Sequence, residues 1–450
     1  MATNSRYQID LLNGPLLKKI IMLALPLAAS SLLQQLFNSI DVAVVGRFAS
    51  SQALAAVGSN TPVINLLINL FVGISMGSNV IISNHIGQND KKSIQDAVST
   101  VGMVAVASGL FLMVLGICVA RPILELMDTP PDVLDMAVTY LRIYFLGIPF
   151  FMIFNFGSAI FRSMGDTRRP LYILVVAGIV NTILNLVLVI VFHMSVAGVA
   201  IATSIANAVS AGLIVYMLLH EKDPYQLKRL HIEWRELKRM LQIGIPAGVQ
   251  GMVFSLSNVV VQTAINGYGY GAIAGSAAAV NFEYYCYFLI AAFNGAAISF
   301  IIGQNYGAGK LDRVNRVFWI CLGLAALTCA LANWSFTWQY HYVLSLFSTD
   351  PTVIDYGNIR MHTALAFQFI AATYEISGSA MRGMGKSVEP TIITIIGTCL
   401  LRMVWVFMIL PQYNDFFYLM MVYPISWAIT GTLMLILYAA HWRKVKKMAL

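Results

Sequence analysis

The chain has 450 residues, 58% of them hydrophobic and only 11% charged, with a mean hydropathy of +0.75. A soluble globular chain averages about 25% charged residues, so this composition excludes a water-soluble enzyme or binding module and indicates a multi-pass membrane protein. The net charge of +8 does not signal a nucleic-acid partner, because the basic residues sit in short segments between apolar runs, as the positive-inside rule distributes them.

The N-terminus, MATNSRYQIDLLNGPLLKKI, is polar where a signal peptide needs an apolar core, so no cleaved leader is expected. A spanning helix needs about 20 apolar residues. Runs of that kind recur twelve times, at roughly 15–46, 52–86, 95–120, 133–161, 170–192, 195–219, 239–266, 272–302, 314–347, 353–381, 388–411 and 416–440. The end of the first run, QQLFNSIDVAVVGRF, places the carboxylate of Asp41 among residues that belong in oil. A charge at the bilayer centre costs on the order of 3 kcal/mol on insertion scales, which makes Asp41 the first functional candidate. The alternative is a carboxylate that snorkels or caps near a water boundary marked by Arg47.

On the fifth run, Asn181 and Asn185 are one helical turn apart in NTILN and share a face, and Thr203 lies in the sixth run within AIATSIA. One carboxylate with amide and hydroxyl oxygens suits a small hard cation such as Na⁺, and equally a hydrogen-bonded proton site. The connection 221–238, EKDPYQLKRLHIEWRELK, is polar and basic, and reads either as an amphipathic bridge with Leu230, Trp234 and Leu237 on the membrane surface or as a solvated linker. In the second half, Glu283 and Glu375 are the acidic residues inside apolar runs, open to roles in substrate or proton binding or in a structural hydrogen-bond network. The cysteines at 118, 286, 321, 329 and 399 all lie inside apolar runs without metal spacing, and are expected to be small buried thiols. No P-loop, HExxH, GxSxG or strand-linked GxGxxG occurs, so neither ATP drive nor hydrolytic or redox chemistry is expected, and no cofactor.

Landmarks recur at one constant offset of 220 residues: Pro26 with Pro246, Asn38 with Asn258, Gly87 with Gly307, Asp135 with Asp355, Arg162 with Arg382, Gly165 with Gly385 and Pro170 with Pro390. The local strings agree, FRSMGDTRRP with MRGMGKSVEP and TPPDVLD with TDPTVID. Asn38 and Asn258 join the candidate substrate or proton residues on this ground. An even number of spans per repeat gives both halves the same membrane orientation, a parallel repeat of the kind carriers use. All but Arg47, Arg121, Arg142, Arg360 and Arg402 of the 28 lysines and arginines fall at the termini or in the even-numbered loops, so both termini are expected in the cytoplasm. The expected fold is an all-α integral membrane protein with about 12 transmembrane helices in two six-helix lobes: 1–220, a linker at 221–238, and 239–450.

The opening LALPLAASSLLQQLFNSIDVAVVGRF, the segment IIGQNYGAGK and the paired RSMGDTRRP and RGMGKSVEP resemble the multidrug and toxic compound extrusion (MATE) family over nearly the whole chain. The resemblance implies a polyspecific exporter in a bacterial inner membrane that exchanges organic, often cationic, compounds for Na⁺ or H⁺. It implies that Asp41 carries the coupling ion with Asn181 and Thr203, while Asn185 stands where many relatives have a second aspartate. Small organic molecules and membrane lipids are the expected partners, with a monomer as the default. The alternative within transport is a flippase for a lipid-linked oligosaccharide, which a basic cavity would favour; only Arg142 and Arg402 lie within helices. An intramembrane enzyme or a receptor would need a nucleophile with its base, a metal cluster or an output domain, and none stands out.

Overall fold

The computed structural model describes residues 9–127, 129–295 and 302–448. Among these there is no β-strand, and helices follow the hydrophobic runs: α1 Leu16–Phe48, α2 Ser51–Gln88, α3 Lys91–Leu126, α4 Pro131–Ser163, α5 Arg168–Leu186, α6 Ser195–Leu219, α7 Trp234–Asn266 and α8 Tyr270–Asn294. The second half continues with α9 Gly303–Gly307, α10 Leu311–Trp338, α11 Tyr340–Ser345, α12 Pro351–Arg360, α13 Ala371–Gly383, α14 Val388–Thr394, α15 Leu401–Val404, α16 Leu410–Tyr413 and α17 Phe416–Met448. In hydrocarbon no water satisfies backbone N–H and C=O groups, so long apolar segments adopt the form that bonds its own backbone.

Ten continuous helices among the described residues are long and apolar enough to cross a membrane. Two of the twelve expected spans are built differently. The eighth, 272–302, is long enough as α8 but is diluted by Asn281, Glu283 and tyrosines at 270, 284, 285 and 287, and residues 296–301 of that run lie outside the described residues. The tenth, 353–381, is broken into α12, a π-helical stretch 361–365, a 3-10 turn 368–370 and α13.

The 220-residue repeat reappears in backbone detail. After α4, Gly165 takes φ +80°, its N–H reaches the Arg162 carbonyl at 2.9 Å and Asp166 N–H reaches Phe161 O at 3.0 Å. After α13, Gly385 takes φ +82°, with Gly385 N–H to Arg382 O at 2.8 Å and Lys386 N–H to Met381 O at 2.8 Å. These are left-handed C-terminal caps in which glycine avoids a Cβ clash. Pro131 and Pro351 likewise both open their helices at the first turn, where the missing N–H is harmless.

The chain divides into two compact units, unit 1 comprising Met1–Asn13 and Ala29–Gly248 and unit 2 comprising Gly14–Ala28 and Val249–Leu450. The boundary between the units runs through α7, and the first part of α1 groups with unit 2. The reason within unit 1 is a helix crossing without side chains: a Cβ on Gly73 would meet the Gly248 backbone, and one on Gly77 the Met240 carbonyl. Two small-xxx-small faces, Gly73/Gly77 on α2 and Gly244/Gly248 on α7, let the backbones touch, the contact by which apolar helices associate in lipid. Beside this crossing His85 Nε2 meets Glu236 Oε2 at 2.8 Å, both side chains buried.

Two expectations need correction here. Residues 227–233 form no helix, so the connection is not an amphipathic bridge on the membrane surface. It docks on α3 instead: Gln95 Nε2 donates to Gln226 O at 2.9 Å, Glu233 N–H donates to Thr100 Oγ1 at 3.0 Å, and Leu227 and Leu230 lie over Gly102. Of the five cysteines, four are buried but Cys118 is exposed, on the outward face of α3. An apolar run in a membrane protein does not separate core-facing from outward-facing positions, because both are apolar.

Candidate functional site

In unit 1 the residues singled out in sequence converge. Asp41 lies near the end of α1 and is half-buried; α5 brings Asn181 and Asn185, both buried, against it, and α6 brings Thr203. Asn185 Nδ2 donates to Asp41 Oδ1 and also to Asn181 Oδ1 at 3.1 Å, and Asn181 Nδ2 donates to Thr203 Oγ1 at 3.3 Å. The Thr203 hydroxyl donates to Val199 O at 3.0 Å and lies beside Asp41. Close approach of α1 to α5 is possible because Phe37 lies where a side chain on Gly178 would stand. Asn185 Oδ1 is buried without a hydrogen-bond partner, an orphaned acceptor next to a carboxylate. Asn185 is followed at once by a π-helical stretch, 187–191, a distortion that occurs often at functional sites. Asn38 lies exposed one turn before Asp41, outside this network.

The candidates of unit 2 do not form one site. Glu283 is engaged by Arg360, Nε to Oε1 at 2.6 Å and Nη2 to Oε2 at 3.0 Å, a bidentate buried pair. Arg360 is 4% exposed and neutralises Glu283. Glu375 accepts from Tyr287 Oη at 3.1 Å and Asn294 Nδ2 at 3.1 Å. Asn258 accepts from Arg402 Nη1 at 3.1 Å, and Arg402 is 1% exposed. Arg142, on α4, is exposed.

Sequence reasoning missed two tyrosines of α4 near Asp41, the buried Tyr140 and the half-buried Tyr144. It also missed the His85–Glu236 pair, since each residue by itself resembles an ordinary helix-end polar group.

An all-helical, internally repeated chain with a carboxylate held inside a bundle by amides and a hydroxyl, and no further catalytic constellation in that cluster, defines a two-lobed membrane transporter. The known proteins agree. The MatE pattern matches residues 26–187 and 246–408, two segments whose starts are one repeat apart, and the chain belongs to the MatE family. It is similar to the probable multidrug resistance protein YpnP of Bacillus subtilis, 26% identical with 87% of this chain and 88% of that protein aligned. It is also similar to the probable multidrug resistance protein NorM of Thermotoga maritima, 26% identical over 88% and 86% of the two chains. A crystal structure of MATE in the bent conformation superimposes with a TM-score of 0.89 over 98% of both chains at 20% identity, which establishes the shared two-lobed fold.

Proposed function

We propose that this chain is a cation-coupled antiporter that exports small organic compounds by alternating access across a bacterial cytoplasmic membrane, as a monomer with both termini inside and no bound cofactor. The observation that carries this reading is the Asp41 cluster, a carboxylate whose hydrogen-bond partners among the described residues are neutral. Such a group gains most from binding a monovalent cation, and a change in its charge alters the energy of the helices that hold it. The names of the similar proteins supply the drug-export half, and the distribution of lysine and arginine supplies the orientation.

Within that reading the coupling cation is a proton. The Asn185 amide directs one Nδ2 at both Asp41 and Asn181, so the space between them is filled by N–H rather than by oxygens. The second reading is Na⁺, favoured by the orphaned Asn185 Oδ1: a flipped amide presents oxygens from Asp41, Asn181, Asn185 and Thr203 to one point.

The experiment is uptake of ethidium into inside-out vesicles under a pH gradient or a Na⁺ gradient imposed separately. Uptake driven by the pH gradient, and lost in Asp41→Asn at wild-type expression, is the expected result. Equal transport by the variant removes Asp41 from the mechanism, and uptake driven by Na⁺ alone selects the second reading.

A further inference from the structure

At two pairs of repeat positions the halves differ in a charge that is held only by neutral groups. At the offset of 220, Asp41 corresponds to Val261 and Arg402 corresponds to Thr182, whose hydroxyl only turns back to Gly178 O at 2.9 Å. Unit 1 thus has an acid where unit 2 has a valine, and unit 2 has a guanidinium where unit 1 has a threonine.

Arg402 sits on α15, a single α-turn between two π-helical stretches, 395–400 and 405–409. Its Nε donates weakly to Ser426 Oγ at 3.4 Å and its Nη1 to Asn258 Oδ1 at 3.1 Å, while Nη2 is buried with no partner. Its guanidinium carbon lies 4.7 Å from the centre of the Tyr423 ring and 5.3 Å from that of Phe254. On the same tyrosine ring lies Arg360, 5.1 Å from the centre, whose charge Glu283 cancels through two hydrogen bonds. No aspartate or glutamate among the described residues pairs with Arg402. A buried arginine partnered only by neutral groups keeps its full desolvation cost, and stacking on aromatic faces offsets part of it. The group that would complete it is an anion.

Asn258 shows where the anion would enter. Its residue is exposed, and its side-chain oxygen covers Nη1 of the buried guanidinium. Turning that side chain aside uncovers Nη1 beside the unpartnered Nη2, the pair of parallel donors that matches a carboxylate. We propose that Arg402, covered by Asn258 and backed by Tyr423 and Phe254, is a binding site for the carboxylate of an aromatic substrate. The chain would then take zwitterionic or anionic aromatic compounds in preference to their uncharged-acid counterparts. The proposal deepens the export reading by naming its substrate class, yet binding to purified protein tests it without any gradient.

The probe is a matched dye pair, rhodamine 110, which carries a free carboxylate, and rhodamine 123, its methyl ester. Fluorescence anisotropy with the purified full-length protein in lipid nanodiscs reads both affinities. Wild type should bind the free acid at least tenfold more tightly than the ester, the range of a charge-assisted bidentate contact. Arg402→Gln should bring the ratio close to one by weakening the acid alone. Asn258→Asp places a built-in carboxylate on the guanidinium, preserves the fold through a new ion pair, and should also erase the preference. Wild type that binds the ester as tightly as the acid, or binds neither, overturns the proposal. So does an Asn258→Asp variant that keeps the wild-type ratio. Loss of both dyes in equal measure in that variant would show Arg402 and Asn258 to be a structural brace, and overturns it too. Failure of ethidium export with an intact dye ratio would count against the antiport reading and leave the site standing.

Discussion

Unit 1 and unit 2 share caps and proline positions, yet they differ in buried charge. Both hold a carboxylate among neutral groups, Asp41 and Glu375, but where unit 2 has the Glu283–Arg360 pair the repeat positions in unit 1 are Val63 and Tyr140. Unit 1 surrounds Asp41 with Asn181, Asn185 and Thr203, groups that orient the carboxylate without cancelling it. Unit 2 closes Glu283 with a bidentate arginine and leaves Arg402 with neutral partners. A neutralised pair resists exchange, because opening it exposes two desolvated charges at once. A lone charge held by neutral dipoles exchanges its counter-ion at low cost, which is the property a coupling site needs. On the proposed antiport reading, the pair Glu283–Arg360 is a fixed joint of unit 2 and the Asp41 cluster is the element of unit 1 that changes state.

Breaking the joint should have the largest effect on stability. Arg360→Met leaves the Glu283 carboxylate buried alone, and a destabilisation of about 3–5 kcal/mol is expected from the general cost of orphaning one member of a buried pair. Adding Glu283→Leu should return most of that loss. Thermal unfolding in detergent, followed for both single variants and the double, reads this; additive losses would show that the pair is not coupled. An equally direct way to sharpen the comparison is Asn185→Asp, which gives unit 1 a second carboxylate. A site with two acids favours a metal cation over a proton, so the variant should show about tenfold stronger Na⁺ dependence of ethidium uptake. Unchanged ion preference would show that the oxygen set of α5 does not select the ion.

The smallest expected effect lies at a helix start. In unit 1, Asp90 caps α3 by accepting from Ser93 Oγ at 2.7 Å and Ser93 N–H at 3.1 Å. These bonds to Ser93 hold its carboxyl below the usual range. Its counterpart one repeat on is Lys310, which makes no side-chain cap at α10. A depressed folded-state value means that the contribution is fully present above the ordinary aspartate value of about 4 and is lost as pH falls through the lower one. Wild type should thus lose a small increment of thermal stability below pH about 4 that Asp90→Asn, which caps without titrating, does not lose. Parallel pH profiles for the two proteins would refute the assignment.

Much of the architecture was readable from periodicity. Apolar runs near the length of a bilayer become helices because backbone groups have no other partner in oil, and the constant 220-residue spacing became matching caps at Gly165 and Gly385. Asp41, Asn181 and Asn185 were legible for a related reason: polar groups stand out against an apolar background, and helical spacing put two of them on one face. Where that contrast vanished, reading failed. Tyr140 and Tyr144 look like ordinary amphipathic residues of an apolar helix, and Cys118 looks as buried as Cys321.

What the sequence by itself determined is thus the helical membrane fold, its duplication and the isolated charges, since each follows from local solvation and chain periodicity. Only the tertiary structure decided which charges are cancelled. Arg360 and Arg402 were alike as arginines in or beside apolar runs. Packing gave one of them Glu283, 77 residues away in the chain, and gave the other Asn258, 144 residues away. Partners at such separations depend on how helices cross, and helix crossings are set by the fit of small residues and side-chain shapes, which no local pattern encodes.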